Sequence, residues 1–196
     1  MQTTLGCHSP CIIVAGVRIR RLLLTSLVFV WVTLTGCATL TSTPTVTADA
    51  SQSWALLPIA NLSENPQADR QARSLLETRL RTRGVDELAS YAPVKAVSLR
   101  QLLDPDSQQQ QALQWARQSG YRYGLSGTIN EWNYRSGADR EPVVGINLKL
   151  LDIHTGDVLW QGSAARTGWG FSNLPALGDA VIAQLLESIR FDNTSR

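Results

Sequence analysis

Val143-Val144-Gly145-Ile146-Asn147-Leu148-Lys149-Leu150-Leu151-Asp152, continuing through Ile153-His154-Thr155-Gly156-Asp157 into Val158-Leu159-Trp160, is the stretch whose reading decides the fold. Val144, Ile146, Leu148 and Leu150 recur every second residue, with Asn147 and Lys149 between them, which is the period of a strand that buries one face. The segment Asp152–Asp157 contains glycine and polar residues suited to a hairpin turn, so Val158 begins a return strand. Upstream, Tyr121 to Asn133 also alternates, with Tyr123, Leu125, Gly127 and Ile129 on one side. Three consecutive strands therefore form an antiparallel meander.

Working outward, Trp54-Ala55-Leu56-Leu57-Pro58-Ile59 is a short apolar run ending at Asn61, consistent with a buried strand. Asn65-Pro66 reads as a cap followed by a first-turn proline, and Ala68, Ala72, Leu75, Leu76 and Leu80 follow at helical spacing. Arg73, Arg79, Arg81 and Arg83 fall on other faces, and Gly84 supplies the stop, which predicts a helix over Pro66–Arg83. Val85–Tyr91 reads as a second strand, Ser98–Leu103 as a single helical turn, and Asp106 or Ser107 as the cap of a helix running to Gly120. Val181, Leu185, Leu186 and Ile189 predict a closing helix over Ala176–Ile189. The predicted order is β-α-β-α-β-β-β-α: an α+β fold, with helices covering a mixed sheet that contains the three-strand meander.

The first part of the chain has a different character. Arg18, Arg20 and Arg21 precede an apolar run from Leu22 to Leu34, about thirteen residues, within the range of a signal-peptide core. A bilayer-spanning helix needs roughly twenty such residues. Leu34-Thr35-Gly36-Cys37 closes the run and is similar to the lipobox of bacterial lipoproteins. Small Thr35 and Gly36 suit a peptidase subsite, and the Cys37 thiolate is the nucleophile for diacylglyceryl transfer, so the expected mature chain starts at a lipidated Cys37. Ala38 stands where Asp would resemble an inner-membrane retention signal, which points to the outer membrane. The expected organisation is a signal peptide over 1–36, Cys37 with a flexible tether over 37–52, one periplasmic domain over 53–191 and a tail over 192–196. The tether reading rests on the Thr, Ser, Ala and Asp of Ala38–Gln52, and a free coil of that length reaches roughly 20 Å.

Cleavage before Cys37 removes three of the 18 basic residues and none of the 16 acidic ones, leaving a nearly neutral domain. Nucleic acid is therefore not an expected partner, because phosphate binding needs a concentrated basic surface. Cys7 and Cys11 leave with the leader, so no disulfide or cysteine metal site can form within one mature chain. His154 is the only mature histidine and lies in a turn, with no second ligand to complete a metal or nucleophile site. Neither a phosphate-binding glycine loop nor a Gly-x-Ser-x-Gly elbow occurs. Asp139 and Glu141 could pair for sugar chemistry, but they share a polar loop with Arg135 and Arg140 and read better as a solvated connection. No catalytic residue, metal ligand or cofactor site is assigned. In Gly168-Trp169-Gly170-Phe171 two large aromatics sit in a glycine-flanked loop. Two readings stay open: Trp169 and Phe171 touch the membrane or a partner, or they pack under the last helix.

The lipobox, the Trp54–Asn61 strand, Glu131-Trp132, the Asp152-x-x-Thr155-Gly156-x-Val158-Leu159-Trp160 hairpin and Gly168-Trp169-Gly170 together resemble the PelC family, outer-membrane lipoproteins of Pel exopolysaccharide secretion. The strand and hairpin are also similar to the curli-secretion protein CsgG and the peptidoglycan-synthase activator LpoB. The PelC resemblance implies a non-catalytic homo-oligomer of twelve subunits on the periplasmic face of the outer membrane, next to the porin PelB. Carboxylates around its opening would steer a cationic exopolysaccharide, with Asp139 and Glu141 as nominees. The LpoB resemblance implies instead a lipoprotein activator of a periplasmic peptidoglycan synthase.

Overall fold

The computed structural model describes residues 38–92, 105–136, 140–169 and 172–192. Strands β1 (Ala38–Ser42), β2 (Val46–Asp49) and β3 (Trp54–Asn61) are followed by helix α1 (Ala68–Thr82), strand β4 (Leu88–Ser90) and helix α2 (Pro105–Gln118). The meander comprises β5 (Tyr123–Tyr134), β6 (Pro142–Asp152) and β7 (Val158–Thr167), and helix α3 (Leu174–Leu186) and strand β8 (Ile189–Asp192) close the chain. The main sheet is mixed, with strand order β1-β7-β6-β5-β3-β4, and β2 and β8 form a separate parallel pair. This is the α+β class expected from the hydrophobic periodicity.

The crossovers decide which helix covers which face. β3 is parallel to both β4 and β5. From β3 the chain steps through α1 to β4 on one side, then returns through α2, past β3, to β5 on the other. Right-handed crossovers taken in opposite directions put their helices on opposite faces. Accordingly Ala68, Ala72, Leu76 and Leu80 of α1 share a core with Trp54, Leu56, Leu125 and Leu148. Ala112 and Ala116 of α2 pack against Ala55 and Leu57, the alternate residues of β3. Burial on both sides explains why β3 is continuously apolar rather than alternating. Pro58 has no N–H for the ladder, and the β3–β5 register shifts between Leu56 and Ile59, around it.

α3 joins α1 over the face that carries Val144, Ile146, Leu148 and Leu150. Three tryptophans, Trp54, Trp132 and Trp160, are fully buried in this layer. The Trp132 indole N–H donates to Gln71 Oε1 of α1 at 2.8 Å. Arg79 of α1 and Asp179 of α3 clasp the two helices through two guanidinium–carboxylate contacts. α3 comes close because residue 178 is glycine: a Cβ there would stand 2.1 Å from Cη2 of Trp132.

Helix boundaries follow local chemistry. α1 begins at Ala68, two residues after the expected start, because Pro66-Gln67 form a capping turn: Asn65 Oδ1 accepts from Gln67 N at 3.0 Å and Asn65 O accepts from Ala68 N at 3.2 Å. Gly84, at φ 90°, takes the left-handed conformation that ends α1. The strand expected over Val85–Tyr91 is limited to Leu88–Ser90, and the turn expected over Ser98–Leu103 lies outside the described residues.

Two expectations fail. Ala38–Gln52 is not a free tether: Ala38–Ser42 pairs antiparallel with β7, and Val46–Asp49 pairs with β8. Ala48 and Ala50 are buried, and the Trp54 indole N–H donates to the carbonyl of Asp49 at 3.1 Å. The Thr- and Val-rich composition suits a strand as well as a linker, and only the partner strand decides between them. That partner is the second miss, because Ile189 belongs to β8 rather than to the last helix. Ile189 is buried in the α3 core, so the apolar spacing continues although the backbone has become extended.

Replacing Gly178 with alanine tests the α3–sheet contact. Alanine gains up to about 1 kcal/mol of helix propensity, but forcing its Cβ into the Trp132 ring costs about 1–3 kcal/mol. The clash should win, lowering the urea midpoint with m unchanged. A midpoint equal to or above that of the parent would mean that the ring has room to move aside.

Candidate functional site

Strand register gathers the chemically distinctive residues of this domain at one end of the sheet. Ala38, the residue bonded to Cys37, lies opposite Arg166 of β7. Thr167 lies opposite Val143, and Tyr134 opposite Pro142. The Gly168 N–H then donates to Pro142 O at 2.8 Å, carrying the row one residue beyond β7. Trp169 follows immediately and is 81% exposed. Its backbone is held by Ser172, whose Oγ donates to Trp169 O at 2.8 Å and accepts from Trp169 N at 3.3 Å. Trp169 therefore does not pack under α3, which disposes of that alternative for this residue. Phe171, Asp139 and Cys37 lie outside the described residues.

The β5–β6 connection rises at the same end. Arg135 N donates to Glu141 O at 2.8 Å, and Arg135 and Arg140 are exposed while Glu141 is half-buried. Arg140 adopts φ 42°, a left-handed conformation unusual for arginine, with its guanidinium carbon 5.8 Å from the centroid of the exposed Tyr134 ring. The Tyr134 hydroxyl accepts from Leu174 N at 3.4 Å, tying the connection to the start of α3. There Asn173 Oδ1 caps Ala176 N at 2.9 Å, and no acidic residue occupies the first turn. Sequence reading singled out Trp169 and Glu141 but gave no role to Arg166. With Ala38–Ser42 taken as tether, nothing in the pattern could have set Arg166 beside the residue that follows Cys37.

The far end of the β6–β7 hairpin, about 30 Å away at the rise of an extended strand, carries the Asp152–Asp157 turn. Asp152 Oδ1 accepts from the backbone N–H of His154 at 2.9 Å and of Thr155 at 3.2 Å, and Oδ2 meets Arg122 Nη2 at 2.9 Å. Gly156, at φ 83°, lets its N–H reach Asp152 O at 2.8 Å. His154 itself is exposed and its role here is confined to that backbone donor. Burial pushes the Asp152 carboxyl upward, but the Thr155 and His154 N–H donors and the Arg122 charge outweigh it and hold the group below the usual carboxylate range. This carboxylate organises a turn rather than a reaction.

Between the two ends, the face opposite α1 and α3 is covered by α2 only near β3. A groove of about 530 Å³ follows, lined by Asp69, Asp106, Gln109, Ser126, Thr128 and Lys149. A second, of about 460 Å³, continues across Asn147, Gln161 and Ser163 to Thr41 of β1. Among the described residues no cluster of His, Cys, Asp and Glu could hold a metal ion, and no helix is long and apolar enough to cross a membrane.

The domain thus has one helix-covered face, one polar open face and an exposed indole at the end where the described chain begins. The family model for the peptidoglycan-synthase activator LpoB matches residues 44–165. A PelC dodecamer structure from Paraburkholderia phytofirmans matches at 32% identity with TM-score 0.67, covering 80% of this chain and 100% of that one. The L103M variant of that dodecamer matches at 31% identity with the same TM-score and coverage. The LpoB C-terminal domain from Salmonella enterica matches at 19% identity with TM-score 0.42, covering 60% of this chain and 84% of that one. No curated protein matches the sequence significantly. The chain belongs to the PelC family, and equally to the family that the LpoB model describes.

The depressed Asp152 carboxyl has a defined consequence for stability against pH. Its contribution is fully present above the unfolded-state value of about 3.9 and is lost as pH falls through the lower folded value. Denaturant midpoints of the parent and Asp152→Asn should therefore differ clearly at pH 7 and converge as pH falls through the lowered folded value. A gap that persists at low pH would assign the turn's stability to its backbone alone.

Proposed function

We propose that this protein is a non-catalytic lipoprotein at the periplasmic face of the outer membrane, whose copies assemble into a ring that assists export of a cationic exopolysaccharide. Cys37 carries the lipid, and the ring stands next to an outer-membrane porin of the PelB kind. The single observation that carries this reading is the 32% identity to a PelC chain that forms a dodecamer, across the whole of that chain. The anchor end supports it. Ala38 pairs directly with β7, so a lipid on Cys37 would hold the end of the sheet against the bilayer, with exposed Trp169 beside it. Trp169, together with Phe171, then contacts the inner leaflet, where an amphipathic indole is at home.

The role in export is one of field rather than bond-making. Carboxylates around an opening raise the local concentration of a polycation without binding it tightly, as a conduit requires. Asp139 and Glu141 are the nominated acids, and Glu141 would stand on the membrane-side rim of the passage, since it shares an end with Trp169. A second reading, lipoprotein activation of a periplasmic peptidoglycan synthase, is favoured by the match of residues 44–165 to the LpoB model.

Mass separates the two. The mature lipoprotein, extracted in detergent and measured by light scattering, should run as a closed ring of about a dozen copies. A monomer that binds a peptidoglycan synthase would replace the export reading with the activator one. Within the export reading, neutralising Asp139 and Glu141 together should lower polymer secretion at unchanged lipoprotein abundance, and unchanged secretion would remove those two acids from it.

A further inference from the structure

Arg135, Arg140 and Arg166 have no place in either reading, yet the register sets them around the two groups expected to meet the membrane. Arg166 lies opposite Ala38, next to the lipid site, and precedes Trp169 by three residues. Arg135 and Arg140 flank the β5–β6 connection, whose base, Tyr134 and Pro142, is joined to Gly168. None of the three makes an ion pair among the described residues, whereas Arg79 and Arg122 both do. The one described carboxylate in this group is Glu141. Three guanidinium groups without an ion pair among the described residues thus share the end of the sheet that carries the exposed indole.

We propose that Arg135, Arg140 and Arg166 form a headgroup-binding rim around Trp169 that selects anionic phospholipid at the anchor end. The inference rests on the membrane placement of Cys37 and Trp169 above and adds the lipid class. The occupant is a bilayer surface bearing phosphatidylglycerol-type headgroups, for three reasons. Guanidinium groups present a planar fork that matches phosphate geometry. The exposed indole supplies the apolar contact that a soluble polyanion would not use. The acyl chains on Cys37, one residue from Ala38, hold the rim at the interface, so each arginine acts at high local concentration and needs little affinity of its own. Arg140, in a left-handed conformation, holds its guanidinium carbon 5.8 Å from the Tyr134 ring centroid at the base of the connection.

The test uses the mature, lipidated protein reconstituted in phosphatidylcholine vesicles containing equal mole fractions of brominated phosphatidylcholine or brominated phosphatidylglycerol. Quenching of Trp169 is isolated as the difference from Trp169→Phe, since Trp54, Trp132 and Trp160 are buried and the partly buried Trp115 contributes to both proteins alike. An arginine near an anionic surface is worth about a five-fold preference at most, so quenching by the anionic lipid should exceed that by the neutral one by about two-fold or more. High salt should erase that excess. R135Q/R140Q/R166Q should quench equally in both lipids while staying anchored, and R135K/R140K/R166K, which keeps the charge but not the fork, should retain only part of the preference. The double variant R135Q/R140Q, confined to exposed loop positions, serves if the triple one loses its fold, and should lose most of the preference. Equal quenching of the parent by both lipids would overturn the headgroup rim and leave the Trp169 contact standing. No quenching by either lipid in a vesicle-bound protein would overturn both.

Discussion

The pairing of Ala38–Ser42 with the end of β7 is the constraint on which the arrangement of this molecule depends. It fixes the start of the described chain beside the Gly168–Trp169 turn and leaves no slack between Cys37 and the sheet. An antiparallel ladder of five residues at an edge is weak by itself. Here it is continued by Thr43, which donates through N to Gln161 O at 2.9 Å, and by β2, which docks on β8. The N-terminal segment is thus held at two places. What composition suggests to be a compliant leash is a short connection whose direction is set by the fold.

That rigidity is supported from below. Trp54, Trp132 and Trp160 fill one face of the sheet under α1 and α3, and each large ring has a specific accommodation: Asp49 O for the Trp54 indole, Gln71 and Gly178 for Trp132, and Gly162 against Trp160. Aromatic rings bury large apolar areas, but they do so only where a neighbour is small enough to admit them. Placing these three on one face commits α1 and α3 to the same side. The opposite face, from β5 to β1, keeps Thr128, Asn147, Lys149, Gln161 and Ser163 facing two shallow grooves. The asymmetry follows from the core and needs no separate cause.

Much of this was legible in the residues. The alternation of β6 and the Asp152 turn fix the meander, and the spacing of Ala68, Ala72, Leu76 and Leu80 gives α1. Both are patterns in which a single buried face leaves its period in the sequence. β1 could not be read that way, because all five of its residues are exposed and no face is apolar. β8 escaped notice for the opposite reason, since Ile189 continues the helical spacing of α3 while its backbone does not. Of the candidate site, Trp169 stood out as an aromatic with no periodic reason to be core. The arginines around it did not, because proximity across β1, β7 and β6 is a property of register and exists only once strands have been paired.

The strands that carry the anchor end also fix what the rest of the domain can face. β7 runs from the Asp152–Asp157 turn toward Trp169, so if the Trp169 end is held at a bilayer as proposed, the strands would point away from it and the sheet would stand upright. An upright sheet presents its helix-covered face to one side and its polar open face to the other. Two unlike faces pointing sideways are the geometric requirement for head-to-tail association, in which one surface of each copy meets a different surface of the next. A lipidated domain lying flat would spend one of those faces on the bilayer and lose that option. Under the proposed anchoring at Cys37, the direct step into β1 would tilt the sheet off the surface and leave both flanks free for neighbours, which a long tether could not enforce.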